Sequence, residues 1–238
     1  MMTNDRVLDI QNELRRLANE EIAEHSQRFF QTAKGQYGHG DRFLGIRVPA
    51  LRKIARQYRG VSVDEASRLL KSEFHEERLL SLLLLVAMFK KANDEGRRAI
   101  YNLYLQNTRF INNWDLVDSS AEHIVGAQLR DGDKKPLYDL AVSDMLWERR
   151  ISIMSTFHFI KHSEFDDTLR IAEILLPDKE DLIHKAVGWM LREIGKRNIE
   201  TEEIFLKKYY RQMPRTMLRY AIEKFPEPKR QKYLKGNV

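Results

Sequence analysis

Apolar residues recur along this chain at intervals of three and four positions, and no segment shows a convincing strand pattern. A 3.6-residue periodicity of this kind predicts amphipathic α-helices. The apolar run Leu79–Phe89 is too short to span a bilayer and predicts a buried helix. Ser62, Pro49 and Asp178 stand at predicted helix starts. The pattern therefore predicts an all-α protein made of antiparallel helix pairs joined by short turns.

A longer period accompanies the helical one. Helix-like segments recur at intervals of 36, 36, 35 and 30 residues, and their first positions are Arg78, Trp114, Arg150, Lys185 and Arg215. Periods of this length are typical of stacked helical pairs, in which equivalent positions align along one surface. We therefore predict one domain over residues 1–238 with these five residues side by side. Their charge and aromaticity are typical of a nucleic-acid groove.

The charge is unevenly placed. The chain has 41 Lys and Arg against 35 Asp and Glu, and residues 185–238 hold 14 of the basic and only 6 of the acidic residues. This asymmetry predicts an anionic partner that is met mainly by the C-terminal half. Cysteine is absent, which excludes disulfides, zinc–thiolate sites and thiol nucleophiles. The start of the chain is a charged amphipathic helix rather than a signal peptide, so we expect a cytoplasmic protein.

Two stripes run along the predicted helix of residues 182–197. The buried stripe consists of Ile183, Val187, Met190 and Ile194. The second stripe lies away from it and consists of Lys185, Trp189, Arg192 and Lys196. Three cations beside a tryptophan favour a ligand-facing surface. The alternative is that Trp189 packs into the next repeat.

A tryptophan and an aspartate share one face of the segment NNWDLVD. Trp114 and Asp118 are four residues apart, and a carboxylate beside an indole can oppose positive charge that develops on a sugar ring. Asp115 points elsewhere and is better suited to a role at the helix start. The alternative for Asp118 is an ordinary solvated or ion-paired carboxylate.

Two adjacent arginines follow in LWERRISI. Only one of Arg149 and Arg150 can point into a groove, and Arg150 shares the longer period. The alternative is a salt bridge with a neighbouring carboxylate. We expect neither a metal nor a cofactor, because His158 and His162 lack a third ligand of suitable spacing. The glycine-rich stretch after Lys34 also lacks the ending of a phosphate-binding loop.

Five motifs, in their order and at their separations, resemble the bacterial DNA alkylation repair glycosylases of the AlkD family. They are RFLGIRVPALRK, NNWDLVD, LWERRISI, DLIHKAVGWMLRE and PRTMLRYAIEKF, and the resemblance covers nearly all of the chain from about residue 25. It implies a HEAT-like α-α superhelix, a C-shaped solenoid that holds duplex DNA in its concave face. It also implies a monomer that hydrolyses the N-glycosidic bond of cationic N3- or N7-alkylated purines without an obvious base-flipping pocket.

The resemblance also implies roles for single residues. Asp118 would be catalytic, Trp114 and Trp189 would pack against the deoxyribose, and Arg150 would hold a phosphate. Further contacts to DNA are expected from Arg78, Arg149, Lys185, Arg192, Lys196, Arg215 and Arg219. The family has a second aromatic residue directly before the tryptophan, where this sequence has Asn113. The competing interpretation is a non-catalytic HEAT-like scaffold that binds nucleic acid or protein.

Overall fold

A computed structural model describes residues 6–238 of the chain, and within them the structure is helical. Their one β-type pairing is an isolated bridge between Arg42 and Phe74, which confirms the all-α prediction. No helix in the described part is long and apolar enough to cross a membrane. The α-helices are α1 Arg6–Arg16, α2 Glu20–Phe29, α3 Val48–Gln57, α4 Val63–Leu70, α5 His75–Phe89, α6 Asp94–Gln106, α7 Trp114–Asp118, α8 Ala127–Leu129, α9 Lys135–Ala141, α10 Leu146–Ser155, α11 Phe157–Ile160, α12 Asp166–Ile174, α13 Asp181–Gly195, α14 Ile199–Tyr209, α15 Arg215–Ala221 and α16 Glu227–Lys235.

Two of the three predicted helix starts are confirmed. Ser62 caps α4 through a reciprocal pair of hydrogen bonds with Glu65. Pro49 lies in the first turn of α3, where its missing N–H costs no hydrogen bond. The start predicted at Asp178 is wrong, because α13 begins three residues later. The carboxylate of Asp178 instead accepts hydrogen bonds from Arg149 and from the backbone of Glu180.

The chain divides into two compact units, unit 1 (Met1–Ser120) and unit 2 (Ala121–Val238). In unit 1, α5 packs against α3, α4, α6 and α7, and most of its run Leu79–Phe89 is buried, as predicted. In unit 2, α13 packs against α10, α14 and α15. The predicted buried stripe of α13 is confirmed, since all four of its residues are fully buried. The single domain over residues 1–238 stays a prediction.

The five periodic residues all lie in helices, but they do not form one exposed row. Trp114 and Arg215 are the first residues of α7 and α15, and the other three lie within the first two turns of α5, α10 and α13. Arg78 and Arg150 are each only 4% exposed. The period therefore predicts the helices correctly, while the prediction of a shared exposed face is wrong for these two arginines.

Gly188 lets α15 approach α13 closely. A Cβ atom at this position would lie 2.4 Å from the carbonyl oxygen of Met217 and 2.5 Å from the Cβ of Tyr220, far inside van der Waals contact. Any larger residue would push the two helices apart. This crossing explains the glycine in the KAVGW segment and fixes the backbone on which Trp189 stands.

Candidate functional site

The short helix α7 presents Trp114 and Asp118 together. Both side chains are half-buried, whereas Leu116 and Val117 between them are fully buried and anchor the helix. Asn113 caps the helix, since its side-chain oxygen accepts a hydrogen bond of 2.9 Å from the Trp114 amide. The asparagine at the position of the family's aromatic residue is itself fully buried, so here it serves the helix start.

Trp114 belongs to an aromatic cluster that sequence reasoning missed. Its ring stacks on Phe30 at a centroid distance of 5.3 Å and meets the edge of Phe29 at 6.0 Å. Phe30 in turn stacks on Phe43 at 5.1 Å and lies 5.0 Å from the ring of His75. Stacked and edge-on aromatic pairs at these distances are favourable. Trp114 is thus held from one side, and its half-buried state leaves part of it accessible.

Four consecutive ionisable residues open α5, and all four are buried. We call this run, His75–Arg78, the HEER cluster; its members are 0–4% exposed. Each member ties another part of unit 1 to α5. Glu76 accepts hydrogen bonds from the amides of Leu44, Gly45 and Ile46. Glu77 binds Gln11 and Arg15, and Arg78 binds Asp41 and the carbonyl of Ser72. Buried charges of this kind require such partners.

A DNA contact by Arg78 stays a prediction, and that contact would require this buried guanidinium to leave its partners. Its guanidinium donates to the Asp41 carboxylate at 2.5 Å and to the Ser72 carbonyl at 3.0 Å. Withdrawing it from this site would leave a buried carboxylate without its cation, which is strongly destabilising. Arg78 is a structural residue of the HEER cluster.

His75 lies between two aspartates. Its Nδ1 is 2.9 Å from Asp41 and its Nε2 is 2.8 Å from Asp115, while only 2% of the residue is exposed. Burial by itself lowers the pKa of His75, but the charges of Asp115 and Asp41 and their hydrogen bonds raise that pKa to about 9. Burial also opposes the ionisation of Asp41, but His75 and Arg78 hold the pKa of Asp41 below its usual value.

An open cavity of about 870 Å³ in unit 1 reaches this histidine and Asp115. Phe30 and Phe43 form part of its wall, together with α2, the start of α3 and the start of α5. The Asp115 side chain is 17% exposed. Asp115 therefore does more than begin α7, the role expected from its position: it also links α7 to the HEER cluster.

In unit 2, Trp189 is half-buried and partly packed. Its indole N–H donates to Glu193 at 3.2 Å, and its ring lies 6.1 Å from that of Phe157. Arg150 is buried, and its guanidinium donates to the carbonyl of Leu182. Its contact with a phosphate stays a prediction, and that contact requires the Arg150 side chain to become more exposed.

Arg149 takes the alternative role, that of an ion-paired residue. Its Nε donates to Asp178 at 2.7 Å, and its Nη1 donates to the carbonyls of Ser143 and Asp144. A guanidinium that already donates hydrogen bonds to three acceptors within the protein has few donors left for DNA. A DNA contact by Arg149 stays a prediction.

Most of the other predicted DNA contacts in unit 2 are already engaged. Lys185 pairs with Asp181 at 2.7 Å, Lys196 with Glu193 at 2.5 Å, and Arg192 with Glu223. Arg215 donates to the carbonyl of Leu234 at 2.7 Å. Arg219 is exposed, and among residues 6–238 it forms no hydrogen bond or ion pair through its side chain.

A group of exposed cations without ion-pair partners lies on and directly beside α3, in the half of the chain where the sequence did not predict it. Leu51 and Ile54 are buried against α5, and the opposite face carries exposed cations. Arg47, Arg52, Lys53, Arg56 and Arg59 form no ion pair within the described residues, and we call these five the α3 cations. The nearby carboxylate of Glu13 is used by Gln57 and Tyr58.

Comparison with known proteins shows which family this chain belongs to. Residues 10–225 match the family described as DNA alkylation repair enzyme. A predicted DNA alkylation repair enzyme from Enterococcus faecalis has a similar structure, with a TM-score of 0.67, 16% identity, and coverage of 88% of this chain and 97% of that one. AlkD2 from Streptococcus mutans has a TM-score of 0.56 and 17% identity, and the match covers 91% of this chain and 98% of that one. The structure of smu.31 from Streptococcus mutans UA159 has a TM-score of 0.53 and 18% identity, and the match covers 75% of this chain and 92% of that one.

At identities this low, the solved structures establish the fold alone, which is the HEAT-like fold of the AlkD proteins. No curated protein matches the chain.

Proposed function

Because the chain belongs to the DNA alkylation repair enzyme family, we propose that it is a DNA glycosylase. Its substrate is duplex DNA that carries N3- or N7-alkylated purines, and it hydrolyses the bond between the damaged base and deoxyribose. The observation that carries the proposal is α7, a helix anchored by buried residues that leaves Trp114 and Asp118 accessible on one face. An accessible carboxylate beside an accessible indole suits a cationic sugar.

The chemistry requires little from the protein. Alkylation makes the purine cationic, so the base leaves with the electron pair of the C1′–N bond and needs no proton. The sugar develops positive charge, which Asp118 opposes electrostatically. Water then adds to C1′, and Asp118 orients that water and accepts its proton. Trp114 packs against the deoxyribose, and Trp189 and Arg150 keep the roles that the resemblance implies.

Binding to the phosphate backbone is the second part of the proposal. The α3 cations and Arg219 are exposed and have no ion-pair partner in the described part of the chain, so they can release counterions from DNA. Arg52 and Arg56 are one helical turn apart, which is about 6 Å along α3. Phosphates of one strand follow each other about every 3.4 Å along the duplex axis, so both arginines can reach one strand.

Release of free base from a duplex with a single N7-methylguanine tests the proposal. We expect wild-type protein to release the base and Asp118→Asn to lose at least about 100-fold in rate, because the transition-state charge loses its counter-charge. DNA affinity should stay equal or rise slightly, since a negative charge near phosphates is removed.

Asp131→Asn is the matched control, because Asp131 is an exposed aspartate outside the site. It should excise like wild type. DNA binding without any base release by wild type would favour the non-catalytic scaffold. Equal rates for Asp118→Asn and wild type would remove Asp118 from the mechanism.

A further inference from the structure

The protonation of His75 follows from geometry. Both ring nitrogens lie within 2.9 Å of carboxylate oxygens, those of Asp41 and Asp115. An ionised carboxylate only accepts hydrogen bonds, so each ring nitrogen must carry a proton to donate. His75 is therefore an imidazolium that bridges two carboxylates, and charge-assisted hydrogen bonds of this kind are stronger than neutral ones.

One end of this bridge is the helix that carries the proposed active site. Asp115 lies in α7 between Trp114 and Asp118. A helix of five residues has too few internal hydrogen bonds to be stable alone, so its orientation depends on its tertiary contacts. His75 provides one such contact through Asp115. It provides a second through Phe30, whose ring touches both His75 and Trp114.

We propose that His75 is a positioning residue that holds Trp114 and Asp118 in their reactive orientation through Asp115 and Phe30. The inference rests on the glycosylase function proposed above and deepens it. Reaction rates fall steeply when reacting groups move, since a displacement of 1 Å can cost about 100-fold. A link between α5 and the short helix α7 therefore matters for rate even though His75 touches no substrate.

The surroundings of His75 allow its charge to control this link. Asp41 approaches from the loop before α3, Asp115 from α7, and Arg78 from the next turn of α5 through Asp41. Glu76 is turned away, because its carboxylate accepts three backbone amides. On the remaining side the rings of Phe30, directly after α2, and Phe43 pack against His75. Glu21, His25 and Arg47 line the adjoining cavity.

The decisive comparison is between His75→Gln and Glu77→Gln. Both substitutions damage the buried HEER cluster, but Glu77 ties α5 to α1 through Gln11 and Arg15 and, within residues 6–238, forms no hydrogen bond or ion pair with α7. Single-turnover base release at saturating protein reads the chemical step apart from binding. We expect His75→Gln to lower this rate by about 10- to 100-fold with DNA affinity unchanged. Glu77→Gln should lose stability but keep the rate per folded molecule.

A pH profile supplies a readout that a purely structural role would not change. The wild-type rate should fall above about pH 9, where His75 loses its proton. Asp115→Asn removes the largest influence that raises the pKa of His75, so the alkaline fall should move to lower pH while the protein stays folded. Equal rate losses in His75→Gln and Glu77→Gln, or an alkaline limb that Asp115→Asn does not move, would overturn the proposal.

NMR separates this inference from the proposed function. Nitrogen-15 shifts of the His75 ring report its two protons, and the indole N–H signal of Trp114 reports the orientation of α7. We expect the Trp114 signal to follow the titration of His75. If wild type releases no base, the glycosylase proposal fails, yet this coupling is still measured. If the Trp114 signal does not respond, the positioning role fails even in an active enzyme.

Discussion

The cations beside α5 in unit 1 and those on α13 in unit 2 differ in their partners. Unit 1 buries the four charged residues of its HEER cluster and leaves the α3 cations exposed and without ion-pair partners among the described residues. Unit 2 pairs the cations of α13 at the surface, where Lys185, Arg192 and Lys196 each meet a carboxylate. The comparison shows that the number of basic residues in a segment does not locate an anion-binding surface. The pairing of those residues decides how much charge a phosphate meets.

An ion pair exposed on both sides, such as Lys185–Asp181, contributes only about 0–1 kcal/mol, so DNA can compete for that cation of α13. The charge of the α13 cations is nevertheless locally compensated, whereas the α3 cations act at full strength. The positive excess of residues 185–238 thus overstates the share of α13 in binding.

The largest expected effect concerns Glu202, a buried carboxyl group of unit 2. Glu202 is 1% exposed, and one of its carboxylate oxygens has no hydrogen-bond partner within the described residues. Burial, followed by the charge of Glu203, raises the pKa of Glu202 to about 8. Between pH 4.5 and 8 the folded state therefore keeps a proton that the unfolded state has lost, and stability falls as pH rises through this window.

Glu202→Gln mimics the protonated side chain and should remove this fall. At pH 8 we expect a gain on the order of 2 kcal/mol in the free energy of unfolding, with little change at pH 4.5. Chemical denaturation at both pH values measures it. Glu200→Gln on the same helix is the control, because Glu200 is exposed and should show no such pH-dependent gain. Equal pH dependence in wild type and Glu202→Gln would show that Glu202 is ionised in the folded state.

The second prediction compares the DNA binding of the unpaired α3 cations with that of the paired cations of α13. Replacing Arg52 and Arg56 together by Gln should weaken DNA binding about tenfold and lower the slope of log affinity against log salt by about two units. The matched variant replaces Lys185 and Lys196 by Gln and removes the same net charge from a helix whose cations are paired. It should change the slope less. A larger slope change for the α13 variant would support the prediction from sequence that the C-terminal half makes most of the DNA contacts.

The contrast between the units also shows what the sequence could reveal. The buried stripes of α7 and α13 were predictable because apolar residues at 3.6-residue spacing leave few alternatives. Both Trp114 and Trp189 lie outside these stripes and are half-buried, and their contacts with DNA stay predictions. The bridge from His75 was not predictable, since its partners lie 34 and 40 residues away in sequence.

One local signal pointed to the HEER cluster. The run after it, LLSLLLLV, is apolar on all sides, and a helix without a polar face is buried. Charged residues at the start of such a helix are therefore buried as well and need partners. The longer period instead suggested that Arg78 faces a groove. The pairing of Arg192 with Glu223 was equally unpredictable from sequence, because the two residues are 31 positions apart.

The smallest effect is expected from freeing a paired cation in unit 2. Glu223 binds both Arg192 and Lys224 and is about half exposed, so Glu223→Gln removes the carboxylate without creating a cavity. The two released cations should raise DNA affinity about threefold and steepen the salt slope by up to about one unit. Glu200→Gln removes the same negative charge from unit 2 where no cation is released, since Glu200 has no ion pair in the described part of the chain. A gain confined to Glu223→Gln means that pairing limits the contribution of α13. Equal gains in both variants mean that net charge alone governs binding, and the difference between α3 and α13 then has no functional consequence.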